Sequence, residues 1–450
     1  MIRSLIFNLT NLALLRFKYF KVRREYNLIK YYQFRSIEHH LEIQKRRLYH
    51  VLNYSIRNIP YYQKIAHERN IKINYNTVWE DIKKFPILTK EIIRKNWHDL
   101  HPILEKKNYI INTSGGTTGE PLRLIQDEDY ILHNLSSTLA FDEIGGYFVG
   151  DRLIKLWGDE KEIIEHTKGM LKKITYRFLK NTIFLNSFKM SEKKMFEFVN
   201  IINRKKPKVI IAYVQSIYEL AKFIQRCNLK KLKVKSIITS AGVLTPNIRS
   251  FLENIFDCKV FNRYGSREVG MIAHSCEKSD KLHLNMFQQY IEILDEKNNP
   301  VKENEKGNLI ITNLSNFGMP LIRYSIGDRS SYTLSPCSCG RGSLQLNSIY
   351  GRVVDVFTNE EGDLIDGEYF THLFYFKDNI KKFQVVQEEL NGIVINLVTI
   401  NNQKLNPKIE KEISEKIKLV MGENCKVNYH YKSDIDPSIS GKFRYTISKV

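Results

Sequence analysis

Between residues 209 and 261 the chain alternates in kind. Val209-Ile210-Ile211-Ala212-Tyr213 is a short β run, Ser216–Cys227 is helical in pattern, and Val234–Thr239 is a second β run. Pro246–Phe256 then reads as a helix and Cys258–Phe261 as a third β run. Strands that alternate with helices predict a largely parallel sheet. In such sheets ligands sit at the C-terminal ends of the strands. Gly242 and Tyr264 both fall just past strand ends, so a ligand is expected beside them. Residues 151–157 add another strand, and 129–146 a helix. Residues 1–70 read as helical, with Leu41, Ile43, Leu48, Val51, Leu52 and Ile56 at helical spacing until Pro60. From about residue 286 the pattern turns to β: Tyr290–Asp295 alternates, Asn298-Asn299 turns and Gly307–Thr312 follows. After Gly351-Arg352 comes a smaller α+β stretch. It has helices near 367–376 and 406–421, and strands at 382–387, 393–399 and 425–431. The expectation is an α/β chain in two parts. Residues 1–350 form a large N-terminal domain with mixed, largely parallel sheets plus a β subdomain. Residues 351–450 form a small α+β domain, with the boundary at 351–356.

Within the larger part, residues 109–124 read Tyr-Ile-Ile-Asn-Thr-Ser-Gly-Gly-Thr-Thr-Gly-Glu-Pro-Leu-Arg-Leu. Two β-rich arms flank a centre of three glycines and four hydroxyls. Glycine lets the backbone approach a ligand closely, and successive N–H groups in such a loop converge on an anion. One reading is therefore a phosphate cradle. It is not the common P-loop, because no Gly-Lys-Ser/Thr follows. A polar hairpin or flexible linker gives the same composition.

Composition narrows the classes. A chain of 450 residues with 42% hydrophobic content buries a large core and is not disordered. Lys+Arg number 70 against Asp+Glu 49, a formal charge of +21 that favours anionic ligands and surfaces without choosing among them. The six cysteines lack disulfide-framework spacing and no secretory pattern is present, which points to the cytoplasm. The apolar run Leu5–Leu15 is too short and too broken by Asn and Thr to span a bilayer. It either packs on the main domain or lies at the inner membrane face, with Arg16, Lys18, Lys21, Arg23 and Arg24 among the head groups.

The Ser/Thr/Gly loop resembles the phosphate-binding signature of adenylate-forming enzymes. Four further elements similar to that superfamily follow in order: Tyr264-Gly265-Ser266-Arg267-Glu268, Arg323-Tyr324-Ser325-Ile326-Gly327-Asp328, Gly351-Arg352-Val353-Val354-Asp355 and Gly441-Lys442-Phe443-Arg444. Together they span the chain from about residue 40 to its end. Tyr54–Tyr62 and Phe85-Pro86-Ile87-Leu88-Thr89-Lys90 resemble the phenylacetate-CoA ligase branch, whose CapK-like subgroup is associated with capsular and surface polysaccharide synthesis.

The resemblance implies ATP-dependent activation of a carboxylic acid to an acyl-adenylate, followed by transfer to CoA or, alternatively, to a sugar hydroxyl, amine or carrier. It implies a small C-terminal domain that rotates on a hinge between half-reactions. Ser114, Gly115, Gly116, Thr117, Thr118 and Gly119 would hold the β- and γ-phosphates of ATP. Tyr264 would pack on adenine near Ala241 and Gly242, with Gly265 and Ser266 in the same cofactor-binding set. Glu268 would bind Mg²⁺, a hard cation that prefers carboxylate oxygen. Asp328 would accept hydrogen bonds from the ribose, and Arg352 would contact ribose or phosphate. Lys442 would set its ammonium between the attacking carboxylate and the α-phosphate. The chain departs from the family pattern in four places. Glu120 replaces a frequent lysine, and Arg267 replaces a threonine and would supply charge instead. Val354 stands where an acid is usual, and Pro437-Ser438-Ile439-Ser440 replaces the usual lead into the last motif.

Cys276, His283, Cys337 and Cys339 offer three thiolates and one imidazole, the donor set of a closed structural zinc site. Free cysteines are the plain alternative, and His274 is a competing imidazole. Some phenylacetate-CoA ligase relatives bind zinc at the same arrangement, so the resemblance implies a structural Zn²⁺ here. Two readings from other classes compete with the enzyme. A basic zinc-knuckle protein for nucleic acid would fit the charge, but the basic residues are dispersed and no RNA-recognition signature is present. A degenerate adenylation fold acting as a scaffold is disfavoured by the retained Glu268, Asp328 and Lys442. The sequence leaves the acid, the acceptor and the oligomeric state open.

Overall fold

Pro60, expected to stop the first helical region, also restarts it. The helix Ile37–Asn58 ends before Ile59, which is extended at φ −112°, ψ 112°, and Pro60 takes the first position of the helix Pro60–Glu68. The residue before proline avoids the helical region, whereas proline suits a helix start. This computed structural model describes residues 18–102, 109–114, 122–158, 181–187, 189–230, 232–350, 355–374, 379–400, 403–435 and 445–450.

In chain order the strands are β1 (Tyr109–Ser114), β2 (Leu122–Asp127), β3 (Leu153–Trp157), β4 (Thr182–Asn186), β5 (Lys189–Met190), β6 (Val209–Tyr213), β7 (Ser236–Ser240), β8 (Lys259–Ser266), β9 (Gly270–Ser275) and β10 (Leu282–Leu284). They continue as β11 (Gln289–Leu294), β12 (Gly307–Asn313), β13 (Tyr324–Thr333), β14 (Gln345–Tyr350), β15 (Val356–Thr358), β16 (Leu364–Asp366), β17 (Ile380–Glu389), β18 (Gly392–Thr399), β19 (Lys426–Tyr431) and β20 (Thr446–Ser448). By contacts the chain divides into two compact units. One is Met1–Thr113 with Leu122–Phe148 and Phe261–Gly351; the other is Ser114–Pro121 with Val149–Val260 and Arg352–Val450.

The first unit carries an antiparallel sheet in the order β11-β12-β13-β14-β10-β9-β8. Its core joins the sheet to the helices before it. Leu48, Val51, Leu52, Tyr62 and Phe85 pack with Ile272, Leu309, Ile311, Tyr324 and Leu346, each almost fully buried. Burial of each such side chain contributes roughly 1.5–3 kcal/mol. Leu41, read as part of the same apolar face, stays 38% exposed. The buried Tyr62 hydroxyl donates to the Pro320 carbonyl at 2.8 Å and accepts from Ile322 N–H at 3.2 Å, which fixes the approach to β13. The helix Lys18–Tyr32 buries Val22 and Ile29 and lies along the helix Glu128–Asp142. Residues 1–17, including Leu5–Leu15 and Arg16, lie outside the described residues, and no described helix is long and apolar enough to cross a membrane.

In the second unit β7-β6-β3-β4 are parallel, as the alternation predicts. Every residue of β6 is buried, the mark of a strand covered on both faces. The helices Glu192–Lys205, Val214–Arg226 and Pro246–Phe256 supply the covering apolar side chains. The last starts sharply because Thr245 caps Ile248 N–H and Pro246 follows, and Asp257 at φ 49° ends it. The C-terminal residues build a mixed sheet, β19-β18-β17-β20, against the helices Gly367–Leu373 and Pro407–Met421. A small antiparallel sheet, β15-β16-β5, takes its third strand from residues 189–190.

Candidate active site

β8 ends in the stretch 264–268 and turns tightly into β9, with a register shift at Tyr264/Gly265. The turn needs its glycines. A Cβ on Gly265 would lie 2.8 Å from the Gly270 carbonyl oxygen, and Gly270 has φ +79° with Asn134 Oδ1 in the way. The turn presents three of the expected residues together. The Tyr264 hydroxyl donates to Asp328 Oδ2 at 2.6 Å, across from β13. Ser266 Oγ accepts from Val269 N–H at 3.3 Å and holds the turn closed. Glu268 faces inward and is 7% exposed, while Arg267 faces solvent.

The root of the Ser/Thr/Gly loop meets the same turn. Gln126 on β2 donates through Nε2 to the Arg267 carbonyl at 2.8 Å, and Arg267 Nη1 reaches the Thr113 carbonyl at 3.4 Å. Asn112 Nδ2 donates to Gln126 Oε1 at 3.2 Å, so both arms of the β1–β2 hairpin take part. Asp127 completes the anchor. It caps the helix Glu128–Asp142 through Tyr130 N–H at 2.7 Å and accepts from the N–H groups of Phe317 and Gly318 at 2.8 and 2.6 Å. Burial raises its carboxyl above the usual range, against those hydrogen bonds. Ser114 closes β1. Gly115, Gly116, Thr117, Thr118, Gly119, Glu120, Arg352 and Lys442 lie outside the described residues.

A residue given no role from sequence stands next to Glu268. Lys90 is 6% exposed, and its Nζ lies 3.7 Å from Glu268 Oε1. The Tyr324 hydroxyl donates to the same oxygen at 3.3 Å. Lys90 is placed there by its neighbours. Thr89 caps the short helix Lys90–Lys95, and Leu88 pairs in parallel with Tyr324, donating to the Arg323 carbonyl at 2.9 Å. Arg323 adopts φ 52° and is buried. It grips Glu292 with two bonds of 3.0 Å and the carbonyls of Phe85 and Lys83 at 2.8 and 3.1 Å. Nothing local in the sequence joins Lys90 to Glu268; the pairing of 85–88 with β13 does.

For Mg²⁺ the donor chemistry fits. One buried, oriented carboxylate is the usual protein share of a magnesium site whose other ligands are phosphate oxygens and water. In the second unit, Ala241 at φ 49° and Gly242 follow β7, at the C-terminal edge of the parallel strands where ligands bind. A Cβ on Gly242 would meet Val214 Cβ at 2.9 Å, so the backbone there abuts the helix that follows β6. The rings of Trp157 and Tyr213, at the ends of β3 and β6, lie 4.0 Å apart by their centroids.

Cys276, His283, Cys337 and Cys339 converge, with all four ligand atoms within 4.8 Å of one another. Cys276 and Cys337 sulfurs are 3.6 Å apart, and Cys339 Sγ is 3.3 Å from His283 Nε2. Zinc with sulfur at about 2.3 Å and nitrogen at about 2.0–2.1 Å in tetrahedral geometry requires ligand–ligand distances of that size. His283 Nδ1 lies 3.1 Å from Ser343 Oγ, which leaves Nε2 toward the sulfurs. Burial pushes its pKa down to about 4, keeping the imidazole neutral as a ligand must be. The competing His274 is buried with Nδ1 against the Ser275 carbonyl and does not join the group.

A family model described as the CapK C-terminal domain matches residues 357–449. Protein CapK of Staphylococcus aureus is 24% identical over 415 residues, covering 91% of this chain and 89% of that one. A phenylacetate-coenzyme A ligase of Thermus thermophilus is 24% identical over 331 residues, covering 70% of each. Among solved structures, 2-hydroxyisobutyryl-CoA ligase with 2-HIB-AMP and CoA superposes with a TM-score of 0.60 at 17% identity, over 90% of this chain and 89% of that one.

Proposed function

We infer that the chain belongs to the adenylate-forming superfamily, in its phenylacetate-CoA ligase and CapK-like branch, and that it activates a carboxylic acid with ATP and passes the acyl group to CoA. A carboxylate oxygen attacks the α-phosphorus, the bond to the bridging oxygen breaks and pyrophosphate leaves. The CoA thiolate then attacks the acyl carbon and AMP departs. The observation that carries this reading is the meeting of the loop root at Thr113, the 264–268 turn and Asp328, three stretches far apart in sequence.

In this reading Asp328 accepts from the ribose hydroxyls and the Tyr264 hydroxyl holds its carboxylate in place. Tyr264 offers its ring to adenine, and Arg267 brings positive charge toward the phosphates, where the departing pyrophosphate concentrates negative charge. Bound Mg²⁺ would neutralise phosphate oxygens, and Glu268 would hold it. Lys442 would reach the reacting carboxylate from the small domain, which we place at 351–450 on a hinge at 351–356. The Cys₃His cluster would carry zinc as a staple between the strand β9–β10 connection and the 337–341 turn, with no open position for catalysis. The CapK likeness supports a role in modifying surface or capsular polysaccharide in the cytoplasm, where ATP is supplied.

Asp328→Ala should weaken ATP binding about 10- to 100-fold, the effect of a lost hydrogen bond to a charged group, measured by calorimetry. Replacing Cys337 and Cys339 together should remove the bound metal, read by elemental analysis, and lower the melting temperature by several degrees without selectively slowing the chemistry. Full metal content in that variant would remove the zinc assignment.

The test of the function is carboxylate-dependent pyrophosphate release with hydroxylamine as trap, over aryl, fatty, hydroxy and amino acids, with and without CoA. Hydroxamate from one acid class identifies the substrate. A thioester formed only with CoA fixes the acceptor, whereas transfer to a sugar hydroxyl or amine would show the acceptor to be other than CoA. Absence of ATP binding would sink the enzyme reading.

A further inference from the structure

We propose that Lys90 is a resident counter-cation for Glu268, which holds this carboxylate in position in the nucleotide-free protein and makes the divalent metal bind there with nucleotide rather than alone. The inference rests on the reading of Glu268 as the magnesium ligand. Both groups are nearly excluded from water, at 6% and 7% exposed, and lie 3.7 Å apart. A buried carboxylate with no positive neighbour is costly, and an ammonium at this distance offsets that cost. Lys90 is not a wandering surface side chain. Thr89 caps its helix, Leu88 is laddered to Tyr324, and Arg323 clamps the Phe85 carbonyl behind it. The Tyr324 hydroxyl, on the residue that pairs with Leu88, donates to the same Glu268 oxygen that faces Lys90. Ammonium and hydroxyl therefore move as one support.

The electrostatic consequence is specific. A divalent cation arriving alone meets a carboxylate that already has a positive partner, with an ammonium 3.7 Å from one of its two oxygens. Repulsion between the two cations in a low-dielectric setting opposes binding. A cation arriving on the triphosphate brings a net negative partner, and the repulsion is outweighed. Lys90 would thus act as a positioning residue that couples metal entry to nucleotide.

The experiment titrates the zinc-loaded full chain with Mn²⁺ alone, followed by electron paramagnetic resonance, and records melting temperature with and without Mn²⁺. Wild type should bind Mn²⁺ weakly without ATP and show no melting shift. Lys90→Met should bind Mn²⁺ at least tenfold more tightly and be stabilised by it, and Lys90→Arg should behave as wild type. Adding Glu268→Gln to Lys90→Met should erase the gain. No gain in Lys90→Met, or a gain that survives Glu268→Gln, overturns the proposal. Should Lys90→Met not fold, wild type decides: tight nucleotide-free Mn²⁺ binding that Glu268→Gln removes would overturn it as well. The parent reading is tested apart, by Mn²⁺ binding in the presence of ATP. If Glu268→Gln leaves that unchanged, both readings fall. If Glu268→Gln abolishes it and Lys90→Met gains nothing, only the role of Lys90 falls.

Discussion

Lys442→Ala is expected to cut carboxylate-dependent pyrophosphate release by about 100- to 1,000-fold, with ATP affinity nearly unchanged. An ammonium between two approaching anions stabilises charge that develops only as the carboxylate oxygen closes on phosphorus. In the proposed mechanism, binding of ATP alone would draw on other groups: Asp328, Tyr264 and the Ser/Thr/Gly loop. The loss should therefore fall on the chemical step and not on nucleotide binding. The second half-reaction, assayed with preformed acyl-adenylate and CoA, should stay close to wild type, because it needs no cation at that point. Wild-type adenylation by Lys442→Ala would remove the proposed part played by the small domain in the first half-reaction.

Arg323→Met is expected to be the most damaging substitution for stability, at about 3–5 kcal/mol by denaturant unfolding. It removes a bidentate partner from Glu292 and leaves the Phe85 and Lys83 carbonyls without their donor. Burial already pushes the Glu292 carboxyl above its usual range against the pull of Arg323. Without the guanidinium it can protonate, which should hold the loss toward the lower end. Arg323→Lys should recover little, since one ammonium cannot serve two carboxylate oxygens and two carbonyls in a fixed plane. An unchanged melting temperature in Arg323→Met would show that the clamp is dispensable.

Local signals carried part of this fold. Pro246–Phe256 is readable from Thr245, Pro246 and the apolar spacing, and β6 from an unbroken apolar run. Pro407–Met421 begins in the same way at Asn406. The extent of the antiparallel sheet was less visible. β9 (Gly-Met-Ile-Ala-His-Ser) and β10 (Leu-His-Leu) are short, and neither carries an apolar alternation long enough to mark a strand. Motif order singled out Tyr264, Glu268 and Asp328, and the Tyr264–Asp328 bond draws two of them together. Lys90 and the buried side of Arg323 were not. Their partners are set by the bridge between Leu88 and Tyr324, and a pairing between distant segments leaves no period in the sequence. Spacing alone likewise could not choose His283 over His274; the convergence of sulfurs on Nε2 does.

The third strand of the small β15-β16-β5 sheet bears on timing. β5 meets β16 through two residue pairs, Leu364 with Met190 and Ile365 with Lys189. Leu364 also packs against the apolar core beneath the parallel strands. In the proposed mechanism, a rotation of residues 351–450 would have to part this ladder and expose Met190, which is 2% exposed with the ladder closed. Under that proposal the contact would work as a clasp: large enough to give the resting arrangement a dwell time, short enough to open once per turnover. Shortening or lengthening that ladder would then change how often the proposed rotation occurs, with every group proposed to touch substrate left as it was.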